Sequence, residues 1–298
     1  MVLSKLQPGD CIGLAAPSHV ADPERYGRII RAIERLGFRV KTGENFYKSS
    51  YGYLASEAER AADFNQLARD AEVKMVFFGG GSGAAELLPL LDYDAVRQNP
   101  KIYSSYSDGT FLLNAIHAKT GFTTYYGQTP GSLEEGNPYD DAQFAAHFVQ
   151  GGVTQLASNS EWQALCGGNG EGSLIGGYLG VVALLLNTAY FKLNPQQKYV
   201  LFLEDHEKFS GVASVSAQLS FLGQQAPMHC IAGLLFGHYS ENPSPDFLAM
   251  LQRFGEKHRI PVVYCDDFGH GANHAILPIG ARAILDADAK TLHFLESK

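Results

Sequence analysis

The segment Tyr103-Ser104-Ser105-Tyr106-Ser107-Asp108-Gly109-Thr110 sets three serines between a short apolar run and a stretch of helical apolar spacing. A serine on a tight strand-to-helix turn projects its hydroxyl away from the sheet. The N–H of the next residue, Asp108, is then free to stabilise an oxyanion. The pattern is S-x-S-x-G, one residue away from the G-x-S-x-G elbow. Ser/Asp clusters also build ordinary turns and helix N-caps, so the segment alone supports both readings. A serine nucleophile needs a base, and the base needs an orienting carboxylate. Of the ten histidines, His270 is distinctive. The glycines of Phe268-Gly269-His270-Gly271-Ala272-Asn273-His274 leave backbone room around its imidazole, as a site loop after a strand requires. His117, His147, His229, His258 and His293 lie where a surface or core role suffices. His270 and His274 stand at i, i+4, but the glycines and Pro278 argue against a helix, and no H-E-x-x-H glutamate is present. A metal site is therefore not expected. Leu201-Phe202-Leu203-Glu204-Asp205-His206-Glu207 brings acids to the C-terminal end of an apolar strand, and spacing does not separate Glu204, Asp205 and Glu207. Gly79-Gly80-Gly81-Ser82-Gly83 lacks both the Gly-Lys-Ser/Thr ending of a P-loop and the G-x-G-x-x-G spacing. As a strand-to-helix turn it offers a second oxyanion N–H instead.

These side chains need a scaffold, and the first half of the chain supplies its pattern. Residues 11–16 form a short apolar run that stops at Pro17-Ser18, and 24–36 space Ile29, Ile30, Ile33 and Leu36 at helical intervals. Gly37 ends that helix and 38–41 read as a second strand. Residues 56–69 begin with a capping serine and Glu59 three residues later, then carry Ala61, Phe64, Leu67 and Ala68 on one face. Residues 73–78 form a third strand, 84–91 a helix, 101–105 a strand leading to Ser107, and 111–119 a helix closed by Gly121. Such alternation predicts a parallel sheet with helices on both faces. Glycines and serines crowd residues 151–172, which read as a linker between an N-terminal domain (1–150) and a C-terminal one (173–298). The latter shows a helix at 180–186, strands at 199–203, 231–236 and 261–264, and a final pair around 281–285 and 291–294. The expected class is α/β: a doubly wound, mostly parallel sheet domain followed by a mixed α/β domain.

Composition narrows the functional classes. The chain has 298 residues, 23 Lys+Arg against 31 Asp+Glu, and a formal net charge of -8. That balance argues against a nucleic-acid partner, which would need clustered basic residues. Hydrophobic residues at 45% and charged ones at 18% describe a folded protein. The four cysteines form no C-x-x-C pair. The longest apolar run, 179–186, is far short of the roughly 20 residues of a membrane span. With no basic-then-apolar leader pattern, a cytoplasmic protein without membrane contact is expected.

Taken in order, these segments resemble the LD-carboxypeptidase family of serine peptidases, which includes the microcin C immunity peptidases. Pro8-Gly9-Asp10-Cys11-Ile12-Gly13 with Ala16-Pro17-Ser18 resembles its opening strand, and Gly52-Tyr53-Leu54-Ala55 with Glu59-Arg60-Ala61-Ala62-Asp63 its first long helix. The 79–83 turn followed by Leu87-Leu88-Pro89 and Leu91-Asp92-Tyr93 is similar to the segment written RGGYG…LLPLLD. Tyr106-Ser107-Asp108 resembles the G-[YF]-S-D nucleophile. Gly176-Gly177-Tyr178-Leu179, Leu203-Glu204-Asp205 with Glu207, and Phe268-Gly269-His270-Gly271 followed by Leu277-Pro278-Ile279-Gly280 resemble the C-terminal blocks.

The resemblance implies a nucleophile at Ser107, an orienting acid at Glu204 and a base at His270. It implies an oxyanion hole from the N–H groups of Asp108 and Gly81, and substrate contacts at Gly80, Ser82 and Tyr178. It implies no metal or organic cofactor, a small peptide or peptide-like substrate, and a homodimer. The expected reaction is release of the terminal D-alanine of a murein tetrapeptide during peptidoglycan recycling. The alternatives are a peptidyl- or aminoacyl-nucleotide of the microcin type, giving self-immunity, and a non-catalytic module that binds cell-wall fragments. For the nucleotide, Tyr178 and Trp162 are the aromatic candidates to stack on a base. Four positions depart from the family pattern. Ser105 replaces a glycine two before the nucleophile, Gly79 replaces the arginine and Ser82 the tyrosine of RGGYG, and Tyr178 replaces an asparagine. A retained triad with altered substrate positions points to an active hydrolase of altered substrate.

Overall fold

The computed structural model describes residues 5–134 and 136–295. The chain divides after Gly152 into two compact units. In the first, strands β1 (Cys11–Ala15), β2 (Arg39–Thr42), β3 (Val73–Phe78), β4 (Ile102–Ser105) and β5 (Thr124–Tyr126) run parallel in the order β5-β4-β3-β1-β2. Helices α1 (Pro23–Arg35), α2 (Glu57–Arg69), α3 (Tyr93–Gln98) and α4 (Thr110–Thr120) make the connections, and α5 (Pro138–Phe144) follows β5, running on through a π-helical turn at Ala145–Gln150. The order reverses direction between β1 and β3, and a ligand crevice opens outside the carboxyl ends of strands at such a switch point.

Local chemistry explains the elements around that point. Asp22 caps α1 by accepting the Arg25 N–H at 2.7 Å, and Pro23 occupies the first turn, where its missing N–H costs nothing. The helix buries Tyr26, Ile29, Ala32 and Ile33, each large apolar side chain contributing about 1.5–3 kcal/mol. Helix α2 starts with the expected capping box of Ser56 and Glu59. Its buried Arg60 donates to the carbonyls of Pro17 and Gly83, bracing the loops after β1 and β3 against each other. The helix expected over 84–91 is only one 3-10 turn, Ala84–Leu87. Gly83 supplies no side-chain cap, and Pro89 lacks the N–H that would continue the helical hydrogen-bond ladder.

The second unit is a mixed sheet in the order β13-β12-β7-β8-β9-β10-β6. Strands β7 (Asn169–Tyr178), β8 (Tyr199–Glu204), β9 (Ile231–His238) and β10 (Val262–Gly269) are parallel. Strands β6 (Gln163–Cys166), β12 (Arg282–Asp286) and β13 (Thr291–Phe294) add antiparallel edges. Helices α6 (Leu179–Leu185), α7 (Val212–Gln225) and α8 (Pro245–His258) complete the unit, whose short strand β11 (Leu277–Ile279) is not among the seven of that sheet. The protein is thus α/β, with a parallel first sheet and a mixed second one.

Residues 151–172 are not a linker throughout, because they contain β6 and the start of β7. The glycines there serve close strand approach. A Cβ on Gly170 would stand 2.0 Å from the Ala232 carbonyl oxygen, and one on Gly172 would stand 2.5 Å from the Tyr199 nitrogen. Among the described residues no helix is long and apolar enough to cross a membrane.

Candidate active site

In the first unit the site is built at the carboxyl ends of β1, β3 and β4. Tyr106 is extended, and Ser107 then turns into the left-handed region at φ +55° before a 3-10 turn leads into α4. That region costs a non-glycine residue about 1–2 kcal/mol, so the surroundings must hold it. The Ser107 N–H donates to the Tyr126 hydroxyl at 3.1 Å, and the Gly109 N–H donates to the Tyr106 carbonyl at 3.0 Å. The Asp108 carboxylate, buried, accepts the Ala84 N–H at 2.7 Å and ties the elbow to the glycine turn. Ser105 is accommodated without strain. Its Oγ would lie 2.1 Å from a Cβ on Gly109, so the glycine two residues past the nucleophile makes room for the serine two residues before it.

The 79–83 turn lies directly against this elbow. A Cβ on Gly80 would stand 3.0 Å from the Ser107 Cβ. Gly81, at φ +141°, would drive a Cβ to 2.1 Å from the Ser18 carbonyl oxygen, and the Ser82 N–H donates to that oxygen at 2.8 Å. A cleft of about 380 Å³ opens beside Ser107, walled by His19, Arg25, Tyr26, Gly79, Gly80 and Gly81. Gly80 and Gly81 therefore face the cleft, whereas Ser82 is exposed outside its lining. His19, Arg25 and Tyr26 were not singled out from sequence. Their one signal is position, just past the first strand of a doubly wound sheet.

In the second unit Glu204 ends β8, Tyr178 ends β7, His238 ends β9, and His270 follows β10 directly. The His270 Nδ1 lies 2.8 Å from the fully buried Glu204 Oε2. The three acids that spacing left equivalent are now distinct. Asp205 is buried and accepts the His206 N–H at 2.7 Å, while Glu207 is exposed. Both glycines flanking His270 have a steric reason. A Cβ on Gly269, at φ +108°, would stand 3.0 Å from Glu204 Oε2, and one on Gly271 would stand 2.5 Å from the His238 ring. Tyr178 and Phe209 meet the His270 ring edge-on, at centroid distances of 5.4 and 5.0 Å. His274 lies in the same irregular loop, and no helix forms there to pair it with His270.

Electrostatics follow from this packing. Burial pulls the His270 pKa down, but the hydrogen bond and charge of Glu204, with the charge of Asp205, outweigh it and leave the value raised. Burial raises Asp205 to about 6. Burial, with the charges of Asp205 and Glu204, pushes the Tyr178 hydroxyl up to about 12. Trp162 cannot serve as a stacking platform: it is buried, with its Nε1–H donated to Asp267 at 2.7 Å. Among the described residues no cluster of three or more His, Cys, Asp or Glu side chains could hold a metal ion.

The chain is a serine-type peptidase. It belongs to the LD-carboxypeptidase family, whose N-terminal domain matches residues 12–127 and whose C-terminal domain matches residues 171–285. A probable murein peptide carboxypeptidase of Bacillus subtilis (strain 168) is 30% identical, over 96% of this chain and 92% of the relative. An MccF-like protein from Bacillus anthracis str. Ames superposes with a TM-score of 0.89 at 27% identity, covering 100% of both chains. The microcin C7 self-immunity protein MccF, solved in complex with aspartyl sulfamoyl adenosine, superposes with a TM-score of 0.86 at 25% identity, covering 100% of this chain and 99% of the other.

Proposed function

We propose that this protein is a carboxypeptidase that releases the terminal D-alanine of a murein tetrapeptide by cutting an L-to-D amide bond. The observation that carries the chemistry is the His270–Glu204 pair at 2.8 Å, a buried carboxylate holding one ring nitrogen so that the other is left as base. In this reading His270 Nε2 takes the Ser107 proton as Oγ attacks the scissile carbonyl carbon. The developing oxyanion is met by the N–H groups of Asp108 and Gly81. As the tetrahedral intermediate collapses, His270 returns the proton to the departing D-alanine nitrogen. Water, deprotonated by the same imidazole, then opens the acyl-enzyme and regenerates Ser107. Glu204 stays ionised and stabilises the imidazolium throughout. Gly80, Ser82 and Tyr178 supply the substrate contacts. A homodimer working in the cytoplasm on recycled peptidoglycan fragments completes the proposal.

A second reading is supported by the solved relative that holds aspartyl sulfamoyl adenosine. The same chemistry would then cut an aminoacyl-nucleotide amide, with the half-buried Tyr178 as the aromatic face for the base. The two readings separate by mass spectrometry of the purified protein incubated with each substrate, alongside Ser107→Ala. Loss of one D-alanine from the tetrapeptide by wild type only is the expected result. Cleavage of the aminoacyl-nucleotide analogue instead would move the assignment to the second reading. Turnover by Ser107→Ala would overturn the nucleophile.

A further inference from the structure

His19 bridges two parts of the first unit that the catalytic reading leaves unconnected. Its Nδ1 lies 3.1 Å from the Gly80 carbonyl oxygen, and its Nε2 lies 2.7 Å from the Tyr26 hydroxyl. The carbonyl can only accept, so Nδ1 carries the hydrogen. Burial lowers the His19 pKa and keeps the ring neutral, so Nε2 accepts from Tyr26. Tyr26 is anchored in turn on α1, edge-on to Phe46 at 4.7 Å. The ring also fills the space a side chain at position 79 would need. A Cβ on Gly79 would stand 2.5 Å from His19 Cε1.

The Gly80 carbonyl and the Gly81 N–H belong to one trans peptide unit and point to opposite edges of one plane. Whatever grips the oxygen therefore aims the hydrogen. A carbonyl that accepts a hydrogen bond also makes the N–H of its amide a stronger donor. Gly81 has no Cβ to restrain this plane, and its φ of +141° is open only to glycine. We propose that His19, relayed from Tyr26, is the positioning residue that aims and polarises the Gly81 N–H toward the oxyanion. This rests on the proposed role of Gly81 and explains why position 79 carries no side chain.

The test uses acylation rather than substrate turnover, so it does not depend on which amide the enzyme cuts. Ser107 is phosphonylated with a fluorophosphonate, forming an Oγ–P bond and releasing fluoride while a negative oxygen develops on phosphorus. The maximal labelling rate and half-saturating probe concentration are measured for wild type, His19→Ala, His19→Asn and Tyr26→Phe. Thermal unfolding checks that each is folded. His19→Ala should lower the maximal rate about 10–100-fold with the half-saturating concentration unchanged, somewhat less than deletion of an oxyanion donor. His19→Asn places an amide N–H where Nδ1 stood and should recover most of the rate. Tyr26→Phe, which keeps the ring packing, should lose severalfold. Full labelling of His19→Ala, a change in half-saturation alone, or no rescue by asparagine would overturn the inference while leaving the catalytic reading intact. A wild type that never labels at Ser107 would overturn that reading, and this inference with it.

Discussion

Ser107 sits where a side chain has little steric freedom, at φ +55°, held there by its N–H donated to the Tyr126 hydroxyl and by the Gly109 N–H donated to the Tyr106 carbonyl. On the other half of the machinery the decisive residues are His270 and its two acids. The reaction needs a neutral imidazole, and Glu204 and Asp205 leave the His270 pKa above its ordinary 6.5. Activity should therefore disappear as pH falls through a value above 6.5. Asp205→Asn removes one of those charges and should move the acid limb of kcat/KM to lower pH. An unmoved limb would show that Asp205 does not act on the base. The same variant has a stability signature of definite sign. Burial raises Asp205 to about 6, from 3.8, so the folded state holds its proton more tightly than the unfolded chain. Wild-type stability falls as pH rises between those values, and the cost persists above 6. Asn carries no charge at any pH, so Asp205→Asn should be more stable than wild type above pH 6 by about 1–3 kcal/mol, with no difference below about pH 4. Thermal melts across that range decide it.

At the scale of elements, the strand β4–helix α4 connection works because the retained glycine of the elbow, Gly109, makes room for its one departure, Ser105. Ser105 Oγ occupies the volume that a Cβ on Gly109 would take. Gly109→Ala should destabilise the protein by about 1–3 kcal/mol, as overpacked sites do. Adding Ser105→Gly should restore most of that loss, because only the more distant Phe78 contact at 3.2 Å remains. Equal destabilisation of the single and double variants in denaturant titrations would refute the coupling. Strands β1 to β4 and helices α1, α2 and α4 were legible in sequence because buried parallel strands are continuous apolar runs and amphipathic helices carry periodic apolar faces with marked ends. Other elements were not. Helix α7 has no side-chain cap and few buried positions, and Asn169–Tyr178 hides a ten-residue strand behind five polar or glycine positions before Leu174 and Ile175. Its glycines report contact with β8 and β9, which composition alone cannot distinguish from a loop.

At the scale of the molecule, each unit builds half of the proposed machinery at the carboxyl ends of its own parallel strands, where loops are free to carry function on a rigid frame. The proposed homodimer predicts a light-scattering mass of twice the 32.4 kDa chain. A mass of one chain would remove it.

The residues themselves, by type and order, determined the α/β class, the family and the identities of Ser107, Glu204 and His270 as candidates. These are legible because hydrophobic period and motif order are properties of a linear string. How Ser105 is tolerated, the 2.8 Å approach of Glu204 to His270 and the reason position 79 is bare were decided only by tertiary structure. The last two depend on residues far apart in sequence meeting within a few ångströms: Glu204 with His270 across 66 positions, His19 with Gly80 across 61. Proximity of that kind is set by strand order and register, and no local pattern encodes it.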